Sequence, residues 1–167
     1  MSQMSEPLNS AHKKSGFSCG KGMLDNYIHK QANQDVKRKL SACFVINDKS
    51  TNLIKGYYTL SNNSLSQEFI PSWIQKKLPK SYETIPTTLL GRLAIDHRFQ
   101  GQGVGKFLLM DALKRSYDIS KTIGSFAVVV DPMDHDAENF YHKYGFIKLP
   151  DSGKMFLPMK TIKQLFE

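Results

Sequence analysis

Cysteine, tryptophan and long apolar runs are all scarce in this sequence of 167 residues. The two cysteines, Cys19 and Cys43, lack the spacing of metal ligands, so we expect neither a metal site nor a disulfide framework. No apolar run approaches the roughly 18 residues that a membrane-spanning helix requires. Residues 1–14 lack the apolar core of a signal peptide. We therefore expect a cytoplasmic protein with reduced thiols.

Acidic residues are also in short supply. The chain has 15 Asp and Glu against 23 Lys and Arg, which gives a formal net charge of +8. This excess favours polyanionic ligands, although a solvated basic surface explains it equally well. With 40% hydrophobic residues, the composition suits one globular domain over residues 1–167, in which residues 1–14 form a flexible tail.

The most informative stretch runs from Leu89 to Leu113. Leu89–Ile95 is apolar enough for a buried strand, and apolar residues recur at helical spacing from Val104 onward. Between them, glycines alternate at Gly101, Gly103 and Gly105. Strand, glycine loop and helix together predict an anion site, because glycines leave backbone N–H groups uncovered and the helix start adds partial positive charge. Arg98 and Lys106 flank the loop, and we expect them to pair with phosphate oxygens.

The spacing excludes two common phosphate loops. Alternating glycines do not fit the dinucleotide pattern G-x-G-x-x-G. The nucleotide-hydrolase pattern also fails, because Gln100 occupies its first glycine position and Phe107 follows Lys106. The loop instead resembles the acyl-coenzyme A loop of the GNAT N-acetyltransferase superfamily, in which Gln or Arg is followed by two residues, Gly, one residue, and Gly or Ala. Gln100, Gly103 and Gly105 fit that pattern.

The resemblance implies acetyl-coenzyme A (acetyl-CoA) as cosubstrate. Its pyrophosphate would lie on the backbone N–H groups of the loop, which comprises Gln100, Gly101, Gln102, Gly103, Val104 and Gly105. Its pantetheine arm would bond the backbone of the strand Leu93, Ala94 and Ile95, where this strand diverges from Phe126–Val130. A backbone N–H in this strand would stabilise the oxyanion that forms during acyl transfer.

A second segment, Ala137–Phe146, resembles the GNAT helix in which a Phe-Tyr pair precedes Gly-Phe. In that family the tyrosine of the pair often points at the thioester sulfur, and Tyr141 occupies this position. A phenol with a pKa near 10 is able to protonate the departing thiolate. Tyr144 is the competing candidate on the same helix. Asn139 is expected to bond the pantetheine, as in some relatives.

No general base is evident from the residue pattern. His97, His135, His142, Asp96 and Glu68 are candidates by residue type alone. An α-amino group has a pKa of about 7.7–8.0 and is partly neutral at cellular pH, whereas a lysine amine at about 10.4 is not. The absence of a base therefore favours a substrate that carries an α-amine.

The remaining pattern predicts an α/β protein of the GNAT fold, with a mixed, mostly antiparallel sheet and helices on both faces. We expect a helix from Met23 or Leu24 to Leu40, a polar break at Ser61–Ser66 and a helix over His135–Tyr144. A further helix is expected from Val104 to Ser120. The other strands are expected at Ala42–Ile46, Ile54–Leu60, Phe126–Val130, Phe146–Leu149 and Lys154–Met159, followed by a short helix from Thr161.

Further segments narrow the resemblance to one GNAT subgroup, the toxins of bacterial toxin–antitoxin pairs, over residues 8–160. The matching segments are Phe17-x-Cys19-Gly20, Leu24-Asp25, Gly56–Leu60 and Gly91–Asp96. The resemblance implies acetylation of the α-amine of aminoacyl-tRNA, a ribbon-helix-helix antitoxin whose tail covers the active site, and a homodimer as one assembly. Lys37, Arg38 and Lys39 either meet RNA phosphates or only favour a helix C-terminus. The alternatives are an enzyme that acetylates a small-molecule or protein amine, and a non-enzymatic acetyl-CoA sensor or nucleic-acid-binding module.

Overall fold

A computed structural model describes residues 5–167. Its strands are β1 (Glu6–Pro7), β2 (Ala42–Asn47), β3 (Ile54–Ser66), β4 (Thr84–Ile95), β5 (Ala127–Val130), β6 (Ile147–Lys148) and β7 (Met155–Pro158). Its α-helices are α1 (Gly22–Asn26), α2 (Ala32–Lys37), α3 (Ser72–Gln75), α4 (Val104–Ser120), α5 (His135–Lys143) and α6 (Met159–Phe166). A π-helical turn, Tyr27–Gln31, joins α1 to α2.

The strands form one sheet in the order β1-β2-β3-β4-β5-β7-β6. β1 pairs with β2, β2 with β3, β5 with β7 and β6 with β7, all antiparallel. β4 and β5 pair in parallel at Thr88↔Val128 and Leu89↔Val129. The predicted α/β class with a mixed, mostly antiparallel sheet is therefore confirmed.

The chain divides into two compact units, and β3 and β4 each contribute to both. The first unit comprises the chain up to Ser61 together with Leu90–Arg115. Its core joins the first helices to β2, β3 and β4 through Tyr27, Ile28, Val45, Tyr57 and Ala94, which are at most 4% exposed. This core fixes the end of β4 that leads into the glycine loop.

The second unit comprises Asn62–Leu89 and Ser116–Glu167. Its core includes Leu65, Ile85, Val129 and Phe156. The four residues of β5 are all at most 1% exposed. A strand that is buried along its whole length has a continuous apolar sequence, which is why a strand over Phe126–Val130 was predictable.

The predicted flexible tail is wrong for residues 5–14, while residues 1–4 lie outside the described part of the chain. Leu8 and His12 are buried, and β1 pairs with β2. The Ser5 hydroxyl donates to the Asp111 carboxylate. Tyr58 donates to the same carboxylate at 2.6 Å and accepts a hydrogen bond from Arg115 at 2.9 Å. These long-range polar contacts order a segment whose composition alone resembles a tail.

Three further boundaries differ from prediction by three residues or more. Ser61–Ser66 is not a break but the second half of β3, because Leu65 is buried there. The predicted strand Leu89–Ile95 begins earlier, at Thr84, and includes Pro86. The helix predicted from Met23 to Leu40 contains the π-helical turn and ends at Lys37. The predictions for α4 and for α5 with its flanking residues are confirmed closely.

Candidate active site

The glycine loop joins β4 to α4 through a short 3-10 turn, His97–Phe99. Gly101 and Gly103 have φ angles of +77° and +79°, a left-handed conformation that strains any residue with a Cβ. A Cβ at Gly101 would meet nothing within 4 Å, and one at Gly103 only the edge of Phe107 at 3.9 Å. The loop is exposed, so its backbone has room for a ligand. This geometry fits a pyrophosphate at the start of a 17-residue helix.

Asp96 braces the loop from within the protein and is fully buried. Its carboxylate accepts hydrogen bonds from the backbone N–H groups of Arg98 (2.9 Å) and Ser18 (3.0 Å). It also accepts from Arg98 Nε at 2.8 Å and Arg98 Nη2 at 3.1 Å. Burial opposes ionisation, but these hydrogen bonds outweigh it and hold the pKa of Asp96 below its usual value. Asp96 is therefore a fixed anion in a structural role and not a free general base.

Arg98 donates hydrogen bonds to that carboxylate from two of its side-chain nitrogens. Whether it also pairs with phosphate oxygens stays a prediction. Lys106, the other flanking cation, is exposed in the first turn of α4 and makes no ion pair with any of residues 5–167. A lysine at a helix N-terminus opposes the helix dipole, so an anion bound there would relieve an unfavourable arrangement.

The Gln100 side chain fixes the loop at its entry. Its Nε2 donates to the carbonyl oxygens of Ile95 at 2.9 Å and Cys19 at 3.0 Å. The Cys19 N–H in turn donates to Asp25 Oδ1 at 2.8 Å. The N-terminal turn that carries Ser18 and Cys19 is thus part of the loop's support. Sequence reasoning missed this role, although the Cys19 to Asp25 motif was visible.

The strand segment Leu93–Ile95 lies directly before this loop. At Gly56, on β3, an added Cβ would lie 2.9 Å from the Ala94 carbonyl oxygen and 2.6 Å from Leu108 Cδ1. Only glycine permits this close approach. The Lys55 carbonyl also accepts the Asp96 N–H at 2.8 Å. These contacts fix the backbone that is expected to meet the pantetheine.

Tyr141 lies in the second unit, on α5. Asp134 caps this helix by accepting the Ala137 N–H at 2.8 Å, and Gly145 follows its end with a φ of +93°. The Tyr141 ring packs on Phe140 and Phe146 at centroid distances of 5.3 and 5.2 Å. Its hydroxyl makes no hydrogen bond with any described residue.

Burial raises the pKa of Tyr141 above that of a free phenol. The side chain therefore keeps its proton throughout the physiological range and can act as an acid. Tyr144, the competing candidate, is only half-buried and packs on Phe140 at 5.1 Å. Asn139 is exposed on the same helix, and its predicted contact with pantetheine stays a prediction.

The basic run Lys37, Arg38 and Lys39 is exposed at the end of α2 in the first unit. The helix ends in a Schellman motif, in which Leu40 N–H donates to the Asp35 carbonyl at 2.9 Å and Lys39 N–H to the Val36 carbonyl at 3.2 Å. Lys39 has a φ of +61°, a conformation that glycine normally supplies. Within residues 5–167 none of the three cations has an ion-pair partner.

Metal clusters and membrane-spanning helices are both absent from the described residues. No cluster of three His, Cys, Asp or Glu side chains there is able to hold a metal ion. None of the helices there is both long enough and apolar enough to span a membrane.

The chain belongs to the acetyltransferase (GNAT) domain family, which it matches over residues 25–161. It is accordingly an N-acetyltransferase that takes its acetyl group from acetyl-CoA. The match spans both units and includes the glycine loop and Tyr141.

Curated relatives are similar over nearly the whole chain. A "tRNA-acetylating toxin" of Mycobacterium tuberculosis is 32% identical over 99% of this chain and 98% of its own length. The "probable toxin TacT" of Sinorhizobium fredii is 30% identical over 96% of this chain and 93% of its own length.

Solved structures agree with this assignment. A tyrosine-to-phenylalanine mutant of KacT has a TM-score of 0.92 and 30% identity, covering 99% of this chain and all of that one. AtaT complexed with acetyl-methionyl-tRNAfMet has a TM-score of 0.90 and 29% identity, with the same coverage. AtaTR bound with AcCoA has a TM-score of 0.85 and 30% identity, covering 98% of this chain and 97% of that one.

Proposed function

We propose that this protein acetylates the α-amine of aminoacyl-tRNA and thereby acts as the toxin of a toxin–antitoxin pair. The observation that carries the proposal is similarity over 99% of the chain to AtaT, whose structure holds acetyl-methionyl-tRNAfMet. The exposed, unpaired basic run at Lys37–Lys39 supports it, because RNA affinity rests largely on cations that meet phosphates. Since charged tRNA is a cytoplasmic substrate, the proposal also places the protein in the cytoplasm.

For the donor, we propose the residues that the glycine loop and its flanks supply. The backbone of Leu93, Ala94 and Ile95 bonds the pantetheine, with Asn139 as a further partner. The N–H groups of Gln100, Gly101, Gln102, Gly103, Val104 and Gly105 bind the pyrophosphate, and Arg98 and Lys106 add positive charge. The positive φ angles and open space at Gly101 and Gly103 support this assignment.

For the chemistry, Tyr141 is the general acid. The α-amine nitrogen forms a bond to the acetyl carbon, and the carbon–sulfur bond breaks. The Tyr141 hydroxyl gives its proton to the departing sulfur and regains one from the nitrogen by way of solvent. A backbone N–H of Leu93–Ile95 stabilises the negative oxygen that forms between these steps. The unassigned proton acceptor is consistent with an amine that is already partly neutral.

For partners, we propose an antitoxin of the ribbon-helix-helix class whose tail covers the active site, and a homodimer. Neighbouring structures support the antitoxin, because AtaT has been solved bound to the C-terminus of the antitoxin AtaR and KacTA has been solved with DNA. We further propose that both units form one acetyltransferase domain, since the family match runs through both.

The deciding experiment measures transfer of label from acetyl-CoA into a bulk pool of charged tRNA, beside uncharged tRNA and free amino acids. We expect label on charged tRNA alone. Label on free amino acids or proteins instead, with acetyl-CoA bound normally, would replace the proposal with a general amine acetyltransferase.

Paired variants test the residue roles. Tyr141→Phe is expected to lower kcat by about 10²–10⁴-fold, whereas the matched control Tyr144→Phe is not. Single changes of Lys37, Arg38 and Lys39 to Gln are each expected to weaken tRNA binding and reduce its salt dependence. The control is Lys49→Gln, which removes an exposed lysine from the β2–β3 turn. If Lys49→Gln weakens tRNA binding as much as the three changes do, Lys37, Arg38 and Lys39 do not form part of the RNA-binding site.

A further inference from the structure

Arg92 on β4 carries a charge that the protein leaves unpaired. The residue is half-buried, and its guanidinium lies on the Tyr27 ring, with Cζ 3.7 Å from the ring centroid. That guanidinium makes no hydrogen bond or ion pair with any of residues 5–167. None of the Arg92 nitrogens is among the buried side-chain atoms that lack a partner, so these donors reach solvent, where an incoming acceptor can bind them.

The ring beneath Arg92 is itself held in place. Tyr27 is 3% exposed and stacks on Tyr57, with centroids 6.1 Å apart and planes inclined by 20°. The Tyr57 hydroxyl donates to the Leu24 carbonyl at 2.6 Å. A fixed platform restricts the guanidinium to few orientations while leaving its five donors unused. Such an arrangement suits recognition of an oxyanion more than packing alone.

The position of Arg92 connects it to the acceptor end of the reaction. It comes directly before Leu93–Ile95, the backbone assigned to the pantetheine and the oxyanion. At about 3.3 Å per residue, each of those groups lies within roughly 10 Å along the strand. Side chains alternate along β4, so Arg92 projects to the same side as Ala94, which belongs to the core cluster of Tyr27 and Tyr57.

The first helices supply two further signs of a substrate surface on this side. Tyr27 opens the π-helical turn, a distortion that recurs at functional sites. The same helical segment ends in the basic run Lys37–Lys39. Asp35, the acidic residue whose charge reaches Tyr27, forms no ion pair with Arg92.

We propose that Arg92 binds an anionic group of the acceptor substrate. We further propose that this group is a phosphodiester near the aminoacylated end of the RNA. This inference rests on the proposed function and names one contact of that substrate. The same chemistry would also fit the carboxylate of a free amino acid. In an aminoacyl ester that carboxylate is absent, so phosphate is the anion that remains.

Arg92→Gln, Arg92→Lys and the control Lys49→Gln test the inference on two kinds of acceptor. One is bulk charged tRNA; the other is a mixture of amino acid methyl esters, which carry the α-amine but no anion. For Arg92→Gln we expect KM for charged tRNA to rise at least tenfold, with kcat changed less than threefold. Its loss in kcat/KM on charged tRNA should exceed its loss on the esters about tenfold. Arg92→Lys should recover part of that loss. Lys49→Gln should leave kcat/KM unchanged on both substrates.

A second readout separates phosphate binding from a structural role. Loss of one phosphate contact should reduce the slope of log K against log salt for tRNA binding by about one for Arg92→Gln. Equal losses on charged tRNA and methyl esters, or an unchanged salt slope, would overturn the inference and leave the proposed function intact. Inhibition of the wild-type protein by free amino acids that is lost in Arg92→Gln would also overturn it by making the ligand a carboxylate. Failure of the wild-type protein to acetylate charged tRNA would instead refute the proposed function and the phosphate assignment together.

Discussion

Arg92 and Arg98 belong to the same stretch of chain but meet opposite surroundings. Arg98 is exposed, yet its guanidinium and backbone are bonded to the buried carboxylate of Asp96. Arg92 is half-buried, yet its guanidinium lies on an aromatic ring and has no hydrogen-bond acceptor among residues 5–167. Arg98 is thus paired within the protein, whereas Arg92 has no acidic partner among the described residues.

The difference fits the two ligands that we propose for this end of β4. A loop that binds pyrophosphate through backbone N–H groups needs to be shaped in advance, and the hydrogen bonds between Arg98 and Asp96 supply such support. A cation that binds a substrate anion keeps its donors free until that substrate arrives. The unpaired charge of Arg92 therefore points to the acceptor substrate, whereas the paired charge of Arg98 explains the shape of the loop.

The largest effect is expected from a change that disturbs the strand between the two arginines. Gly56→Ala places a Cβ 2.9 Å from the Ala94 carbonyl oxygen and 2.6 Å from Leu108 Cδ1. Overpacking of this kind should lower the free energy of unfolding by about 2–3 kcal/mol and weaken acetyl-CoA binding. Denaturant unfolding measures the first effect and calorimetry the second.

Gly124→Ala is the matched control, because a Cβ at Gly124 meets nothing within 4 Å. It should change the free energy of unfolding by less than about 0.5 kcal/mol. If the two variants unfold alike, the close approach at Gly56 does not constrain the strand.

The next effect in size is expected from Asp96→Asn, which tests the pairing of Arg98 with Asp96. The change keeps the shape of the side chain but removes the charge to which Arg98 and Ser18 are bonded. We expect a loss of about 2 kcal/mol in the free energy of unfolding and at least a tenfold rise in the Kd of acetyl-CoA. The exposed Asp151→Asn is the control. Unchanged acetyl-CoA affinity in Asp96→Asn would show that the brace does not shape the loop.

The pH dependence of the same pair sharpens the comparison. The pKa of Asp96 is held below its usual value in the folded state, so its stabilising effect is present above the unfolded pKa of about 3.9. That effect is lost as the pH falls through the lower folded pKa. The difference in unfolding free energy between wild type and Asp96→Asn should thus be constant from about pH 5 to pH 7 and shrink below about pH 4. A difference that grows on acidification would mean that the folded pKa is raised.

The smallest effect is expected at Lys39, which, like Arg92, has no ion-pair partner among the described residues. Glycine adopts a φ of +61° without strain, so Lys39→Gly should stabilise the fold by about 1 kcal/mol. The same change removes a cation and should weaken tRNA binding severalfold. Opposite signs in thermal unfolding and RNA affinity are expected. A variant that gains stability and keeps full affinity would show that Lys39 serves only the helix end.

Local patterns predicted much of this molecule. The apolar periodicity after Val104 predicted α4, and the helix predicted over His135–Tyr144 corresponds to α5. These signals lie within a few residues of the structure they specify. The order of elements and the glycine loop then led to the family.

Contacts between distant residues were beyond such reasoning. Ser18 and Asp96 lie 78 positions apart, and Ser5 and Asp111 lie 106 apart. Arg98 was expected to face phosphate from its place in the sequence, whereas its hydrogen bonds to Asp96 depend on burial of that carboxylate. Arg92 was passed over because its lack of a partner becomes visible only when every neighbour is known.

The turn that supports the glycine loop contains a thiol, Cys19, whose reactivity would report on opening of that turn. Cys19, whose carbonyl is held by Gln100, is a free thiol whose pKa is raised to about 11, chiefly by burial. At neutral pH its thiolate fraction is roughly 300-fold below that of an ordinary cysteine with a pKa of about 8.5. A maleimide should therefore label it slowly in the folded state and faster when the turn opens. The labelling rate would measure how often that happens, and it should fall when acetyl-CoA closes over the loop.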